Sequence, residues 1–362
     1  MKAKKTICLL LALALVLSLA ACGGSSGSGS ASSAPSASAS ASAQVSSDTE
    51  KPVTLVCGNV ATGDTNPYNM CLKWAQEYLE QNGSSITLDL QLQGVLGNET
   101  EQLQQVVLGN QDMAESADLS TTNIAPKMAF ANFPMLFENY DDVYKGWAQD
   151  GWCFKLASGI LDDAGLVLLG ASDNGFRLIT NSKRPIEKFE DMAGLKIRVP
   201  ENSLLLEIWE KFGCQAAPIA FGELTAALQQ KTVDGQELGL QHFYSNRWDE
   251  FNKYLTQINY DYSAFIITIN KDRFNSLSAK QQQDLMDAFA YGTKKAMDYC
   301  VSFVADGLAK MKADGLQETE MTDEFRDKIY AVGYEIAHED KWMSVLGEDL
   351  VNQMYPSATR QK

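Results

Sequence analysis

Two periods run along the chain. Thr54 to Cys57 reads as a strand, and from Ile86 to Leu92 apolar and polar residues alternate as a strand does. Between them Met70, Trp74 and Leu79 recur at roughly helical spacing behind Pro67, a residue suited to a first turn. Glu99 to Leu108 reads as a helix with Leu103, Val106 and Val107 inward and Gly109 after its last turn, and Asp112 to Leu119 as the next strand. Strand and helix alternate, which predicts an α/β lobe whose ligand edge is the loop side of the strands. Phe133 to Phe137 is an apolar connector, and Asp141 to Asp162 is predicted as one helix burying Val143, Trp147, Phe154, Leu156 and Ile160.

The second half repeats the alternation. Leu166 to Leu169 is a buried-type strand, and the turn Asp173-Asn174-Gly175 after it marks a crossing into a second lobe, where Arg177 follows at once. In Lys196-Ile197-Arg198-Val199, Ile197 and Val199 share one face, Lys196 and Arg198 the other, and Pro200 ends the strand because it has no N–H to give. Helices are predicted over Leu204 to Phe212 and Gly222 to Gln230, and Thr232 to Glu237 ends a strand with polar residues. Phe265 to Ile269, inside a strand from Tyr260 to Asn270, is long enough to run between lobes. Ser278 and Gln281 form a capping box that opens a helix reaching Ala313, roughly 50 Å long at 1.5 Å per residue. Gly315 stops it, and closing helices occupy Phe325 to Met354.

Length adds a second lobe to this picture, since 362 residues exceed what one core serves. It also leaves room for a leader. Lys2, Lys4 and Lys5 precede an apolar run from Ile7 to Leu19, closed by Leu19-Ala20-Ala21-Cys22; this has the flanks of an export signal over residues 1–21. The pattern resembles a bacterial lipoprotein signal, which implies cleavage before Cys22 and lipid attachment there. Residues 22–50 are nearly all Gly, Ser and Ala at first, a composition that serves as a flexible tether. The address expected is the extracytoplasmic face of the cell membrane, with the body held by one end.

Charge and cysteines narrow the chemistry. The formal charge of −16 becomes −19 once three leader lysines are removed, which argues against nucleic acid as a partner. Cys57, Cys71, Cys153, Cys214 and Cys300 are scattered and form no CxxC, so neither a disulfide framework nor a metal site is expected. His242 and His338 stand far apart, without GxSxG, HExxH or a P-loop, so an enzyme is disfavoured and no cofactor is expected. Glu223 and Glu237 are the pair a secreted hydrolase would need, but they read as structural carboxylates, with orientation of Arg198 as one role. Arg198 itself presents a planar fork of donors on a stiff strand, matched either to a structural acid or to the carboxylate of a ligand.

Six pieces in register favour the ligand. Gly97, Gly109 and Asp112, then Phe133-Pro134-Met135-Leu136-Phe137, Asn174-Gly175-Phe176-Arg177, Gly194 to Pro200, Ala220-Phe221-Gly222-Glu223-Leu224 and Val233-Asp234-Gly235-Gln236-Glu237 follow in that order. The sequence resembles the solute-binding proteins of TRAP (tripartite ATP-independent periplasmic) transporters from about Leu55 to Ala313. That resemblance implies a two-lobed, periplasmic-binding-protein-like α/β fold with hinge strands and a long helix behind both lobes. It places lobe 1 over residues 51–174 with part of 265–300, and lobe 2 over 175–264 with the C-terminal helices 301–362. It implies capture of a small organic acid and delivery to integral-membrane TRAP subunits, with Arg198 as the carboxylate clamp, Arg177 as second donor and Phe221 packed on the ligand. Asn59, Glu99, Ser116 and Ser120 are expected to line the first lobe's side, and Asn181 and Gln236 complete the expected set. Many members follow Asp-Gly-Gln-Glu with Asn-Pro; Leu238 and Gly239 stand here instead, which favours a smaller or partly apolar acid. The nearest alternative, a lipoprotein binder feeding an ATP-driven importer, shares the leader, tether and lobes but not the arginine motif.

Overall fold

The computed structural model describes residues 50–360, so the expected leader, the tether up to residue 49 and Cys22 lie outside the described residues. Among the described residues ten strands form: β1 (Val53–Gly58), β2 (Ile86–Gln91), β3 (Met113–Ala117), β4 (Leu166–Asn181), β5 (Lys196–Val199), β6 (Gln215–Pro218), β7 (Gly235–Gly239), β8 (Tyr254–Gln257), β9 (Tyr262–Asn270) and β10 (Gln317–Glu320). The continuous order is β2-β1-β3-β9-β4-β7-β5-β6, with β8 joining β4 to β10. β1 pairs in parallel with β2 and β3, and β5 with β6 and β7, while β9 runs antiparallel between β3 and β4.

β4 builds the join between lobes. Its first part, up to Phe176, pairs with β9, and from Arg177 to Asn181 it pairs with β7. The register slips between Asp173 and Phe176, where Gly175 takes φ +83°, so the strand bends without ending. The sequence predicts a strand, a turn and a second strand here. The structure keeps one 16-residue strand because the glycine turn is absorbed as a bulge in the ladder. Lobe 1 and lobe 2 are therefore linked by continuous backbone hydrogen bonding.

Helices flank the sheet. Ala279–Ala313 is a single 35-residue helix opened by the Ser278–Gln281 capping box, as its sequence predicts. Gly292 lets it meet the helix Pro67–Gln81, where an added Cβ would fall 2.7 Å from the Cys71 carbonyl oxygen; Gly307 rests against the Tyr244 ring. One helix thus braces both lobes. The expected helix Asp141–Asp162 is instead two, Tyr140–Trp147 and Trp152–Asp163, because Ala148 to Gly151 closes a turn with Gly151 N–H donating to the Ala148 carbonyl at 2.7 Å. The short strands β6, β8 and β10 were not evident from periodicity, each being only four residues long. Helices Asp323–Ala337, Asp340–Leu346 and Glu348–Met354 close the fold, with the Tyr355 hydroxyl donating to the Pro134 carbonyl at 2.5 Å. No helix among the described residues is long and apolar enough to cross a membrane.

Candidate functional site

The loops at the C-terminal ends of the parallel strands of both lobes enclose a cavity of about 520 Å³. This is where open α/β sheets place ligands, because the loops there diverge and leave backbone and side chains free. From lobe 1 come Val60 and Thr62 after β1, Gln93 and Gly94 after β2, and Ala117, Leu119 and Ser120 at β3. From lobe 2 come Arg198 on β5 with Pro200 and Glu201 after it, Phe221 and Glu223 after β6, and Leu238 on β7 with His242 and Asn246 after it. Polar contacts join the lobes at the rim. The Thr62 hydroxyl donates to Asn246 Oδ1 at 2.8 Å, and Asn202 Nδ2 donates to the Leu119 carbonyl and the Thr122 hydroxyl at 2.8 and 3.0 Å.

The two arginines reach the cavity from opposite faces of one sheet. Arg177 pairs with Gly239 across the β4/β7 ladder, and Arg198 pairs with Gln236 across β5/β7. Gln236 and Gly239 are three residues apart on one strand, so side chains opposite them point to different faces. Both arginines are 3% exposed. Their surroundings differ completely.

Arg177 is neutralised. Its Nε donates to Glu237 Oε2 at 2.6 Å and its Nη2 to Oε1 at 2.8 Å, a bidentate pair. The Tyr260 hydroxyl donates to the same Oε2 at 2.7 Å and itself accepts from Trp209 Nε1 at 3.1 Å. Burial opposes the charge of Arg177, but the adjacent Glu237 carboxylate outweighs it and raises the guanidinium pKa. Glu237 is therefore structural, as the sequence suggests, but it orients Arg177 rather than Arg198.

Arg198 has no such partner. Its Nε donates to the Ile219 carbonyl at 2.8 Å, and among the described residues it forms no ion pair. Burial lowers its pKa to about 10, with Glu237 pulling the other way and Arg177 adding repulsion, so it stays charged at neutral pH. Opposite, Asn98 caps the helix Glu99–Val107 and sets Glu99 at the cavity wall, where its carboxylate accepts from the Ser120 hydroxyl. Burial raises the Glu99 pKa, partly offset by Ser120, the Ala117 N–H and Arg198. The cavity thus offers one unneutralised cation and, across from it, an acceptor group.

Of the expected site residues, Arg198, Arg177, Phe221, Leu238, Glu99 and Ser120 line the cavity. Four do not, each for a local reason. Asn59 is consumed inside lobe 1, its Nδ2 donating to Asn69 Oδ1 and Glu115 Oε2 at 2.8 Å each. Ser116 is buried within β3 one residue short of the lining stretch, which starts at Ala117. Asn181 holds the turn beyond β4, accepting from the N–H groups of Lys183 and Arg184 at 2.8 and 2.9 Å. Gln236 shares the face of Leu238 but lies one pleat deeper in the sheet, fully buried. Sequence reading passed over Thr62, Gln93, Asn174, His242 and Asn246, which also line the cavity. The rule that loops after parallel strands carry the site would have found Thr62 and Gln93; His242 and Asn246 follow β7 by three and seven residues.

Comparison with known proteins gives the family and the fold. Residues 57–340 match the model of "bacterial extracellular solute-binding protein, family 7". A solute-binding protein of Verminephrobacter eiseniae is 30% identical over 269 residues, 74% of this chain and 80% of that one. The 2,3-diketo-L-gulonate-binding periplasmic protein of Escherichia coli is 28% identical over 258 residues, covering 71% and 76%. Among solved structures, a TRAP periplasmic solute-binding protein from Polaromonas sp. JS666 bound to D-erythronate superposes with a TM-score of 0.76 at 27% identity, over 83% of this chain and 97% of that one. A sugar acid binding protein from Advenella mimigardefordensis in complex with galactonate gives 0.78 at 26% identity, over 85% and 98%. A family match across most of the folded chain, the two-lobed fold and the cavity between lobes agree: this chain belongs to the family 7 bacterial extracellular solute-binding proteins.

Proposed function

We propose that this protein captures a small hydroxylated organic acid outside the cytoplasm and hands it to the membrane subunits of a TRAP transporter. The observation that carries this reading is Arg198, a buried guanidinium with one backbone acceptor and no carboxylate, beside an arginine whose charge is already cancelled. Burying an unpaired charge is costly, so a ligand carboxylate that supplies the missing partner favours the closed form, and loading and closure become linked. Arg198 is the clamp; Arg177, held by Glu237, is the second donor, Phe221 and Leu238 pack against carbon, and Glu99 with Ser120 accepts from ligand hydroxyls.

Two relatives support the hydroxylated class, one bound to D-erythronate and one to galactonate. Leu238 in the wall keeps the preferred acid small. The lobes divide at residues 174 and 175, with 265–300 returning in part to the first and 301–362 going to the second. Cys22 carries the lipid that keeps the protein at the membrane surface. No turnover of any bound acid is expected, since the family is one of solute-binding proteins.

The test is a thermal-shift screen of D-erythronate, galactonate, succinate and pyruvate, followed by calorimetric titration of any stabiliser. At least one acid raises the wild-type midpoint and fails to raise that of Arg198→Ala. An Arg198→Ala protein that binds its acid with wild-type affinity would overturn the assignment.

A further inference from the structure

Besides the carboxylates of Glu99, Glu201 and Glu223, the cavity wall holds a titratable ring that neither the clamp nor the Arg177–Glu237 pair uses. His242 lies three residues past β7, is 5% exposed and lines the cavity. Aromatic rings fix its plane. Tyr68 stacks on it with centroids 4.8 Å apart, Phe221 meets it edge-on at 4.9 Å, and Phe265 lies at 5.9 Å. Tyr68 is pinned in turn, its hydroxyl donating to Asn174 Oδ1 at 2.8 Å, and it stacks on Phe265 at 4.2 Å. The imidazole therefore has little freedom to turn.

Nδ1 is unspent: it is fully buried and has no hydrogen-bond partner among the described residues. A packed-in polar ring in a cavity wall that leaves its hydrogen-bonding capacity open is suited to reading a ligand. Burial, with Arg177 and Arg198 adding repulsion, brings its pKa down to about 3, so the ring is uncharged under growth conditions. An uncharged imidazole carries one N–H and one bare nitrogen, and a hydroxyl satisfies either because it both donates and accepts. A methylene satisfies neither.

We propose that His242 is a specificity-determining residue, exchanging a hydrogen bond between its ring and a hydroxyl of the ligand and thereby rejecting acids that lack one. This rests on the reading of Arg198 as the carboxylate clamp, which fixes one end of the ligand while His242 reads the other carbons. Sites built to bond a hydroxyl reject the analogue without it strongly, because the site's own polar group is then left unpaired.

The experiment measures Kd by calorimetry for two matched pairs, D-erythronate against butanoate and galactonate against hexanoate, in wild type, His242→Phe, His242→Asn and Arg198→Ala. Wild type favours the hydroxylated member of at least one pair by ten-fold or more. In His242→Phe that preference shrinks at least ten-fold through weaker binding of the hydroxylated acid, while the plain acid stays within about three-fold. His242→Asn recovers part of the preference, and a melting midpoint near wild type shows that each variant folds. Equal loss of both members in His242→Phe would make the ring a packing element and overturn the proposal. So would an unchanged preference, or a wild type that favours neither hydroxylated acid. The clamp is judged separately: Arg198→Ala loses both members of a pair, and if it keeps them the clamp fails whatever His242 does.

Discussion

One sheet carries both arginines, and its two faces treat the same side chain in opposite ways. On the face of Arg177 stands Glu237, whose carboxylate accepts from Nε and Nη2 of that guanidinium and from the Tyr260 hydroxyl, itself held by Trp209. On the face of Arg198 stand Gln236 and Leu238, neither of which supplies charge, and among the described residues the acceptor it meets is the Ile219 carbonyl. Equal burial therefore means stability on one face and capacity for a ligand on the other. A buried charge is informative about function only after its partners have been counted.

Removing Glu237 breaks the comparison most severely. Glu237→Ala strands a buried guanidinium, which costs about 3–5 kcal/mol when one member of a buried pair is lost. The denaturation midpoint of the ligand-free protein should fall accordingly, and a fall of less than 1 kcal/mol would show that Arg177 finds water or another acceptor. Arg198→Ala acts on the other side: about 3 kcal/mol of acid binding is lost, near 100-fold in Kd, with the ligand-free midpoint unchanged or raised. A large drop in ligand-free stability would move Arg198 into the same structural class as Arg177.

A third test concerns a carboxylate behind the cavity. Glu115 in β3 is buried, and burial, against the hydrogen bond from Asn59, raises its pKa from 4.5 to about 8. A carboxyl with a raised folded pKa holds its proton more tightly folded than unfolded. Its contribution to stability is complete below pH 4.5 and is lost as pH climbs toward 8, by at most about 1.4 kcal/mol per pH unit. Asp118 and Asp173, raised by burial to about 6, act in the same direction but are spent earlier. Glu115→Gln should therefore flatten the decline in melting free energy between pH 6 and 8, and an unaltered slope would assign that decline elsewhere. Smallest is Tyr260→Phe, which removes one hydroxyl from Glu237 and costs about 1 kcal/mol of stability while leaving acid affinity within two-fold. Affinity that falls as far as stability would join the two faces into one functional unit.

Much of this architecture was legible in the order of residues. Alternating strand and helix patterns placed β1 to β3 and β5, the capping box and Gly315 bounded the long helix, and Arg198 stood out on a strand ended by proline. These features are local: period, caps and breakers act within a few residues and do not depend on the rest of the chain. The four-residue strands β6, β8 and β10 were not legible, since a strand that short exists only because a neighbour pairs with it. Likewise Asn59 and Asn181 have the right chemistry for a ligand, yet each is spent on a neighbour that no local pattern reveals.

The sequence alone determined that strands and helices alternate in an α/β pattern and that Arg198 is held on rigid backbone, because periodicity and a proline stop suffice for both, while the acid-binding type was what the resemblance to TRAP solute-binding proteins implied. Only the tertiary structure decided which arginine is free. That depends on Glu237 reaching Arg177 across the β4/β7 ladder, 60 residues away in the chain. Charge cancellation is a matter of a few ångströms in space, and sequence separation carries no information about it.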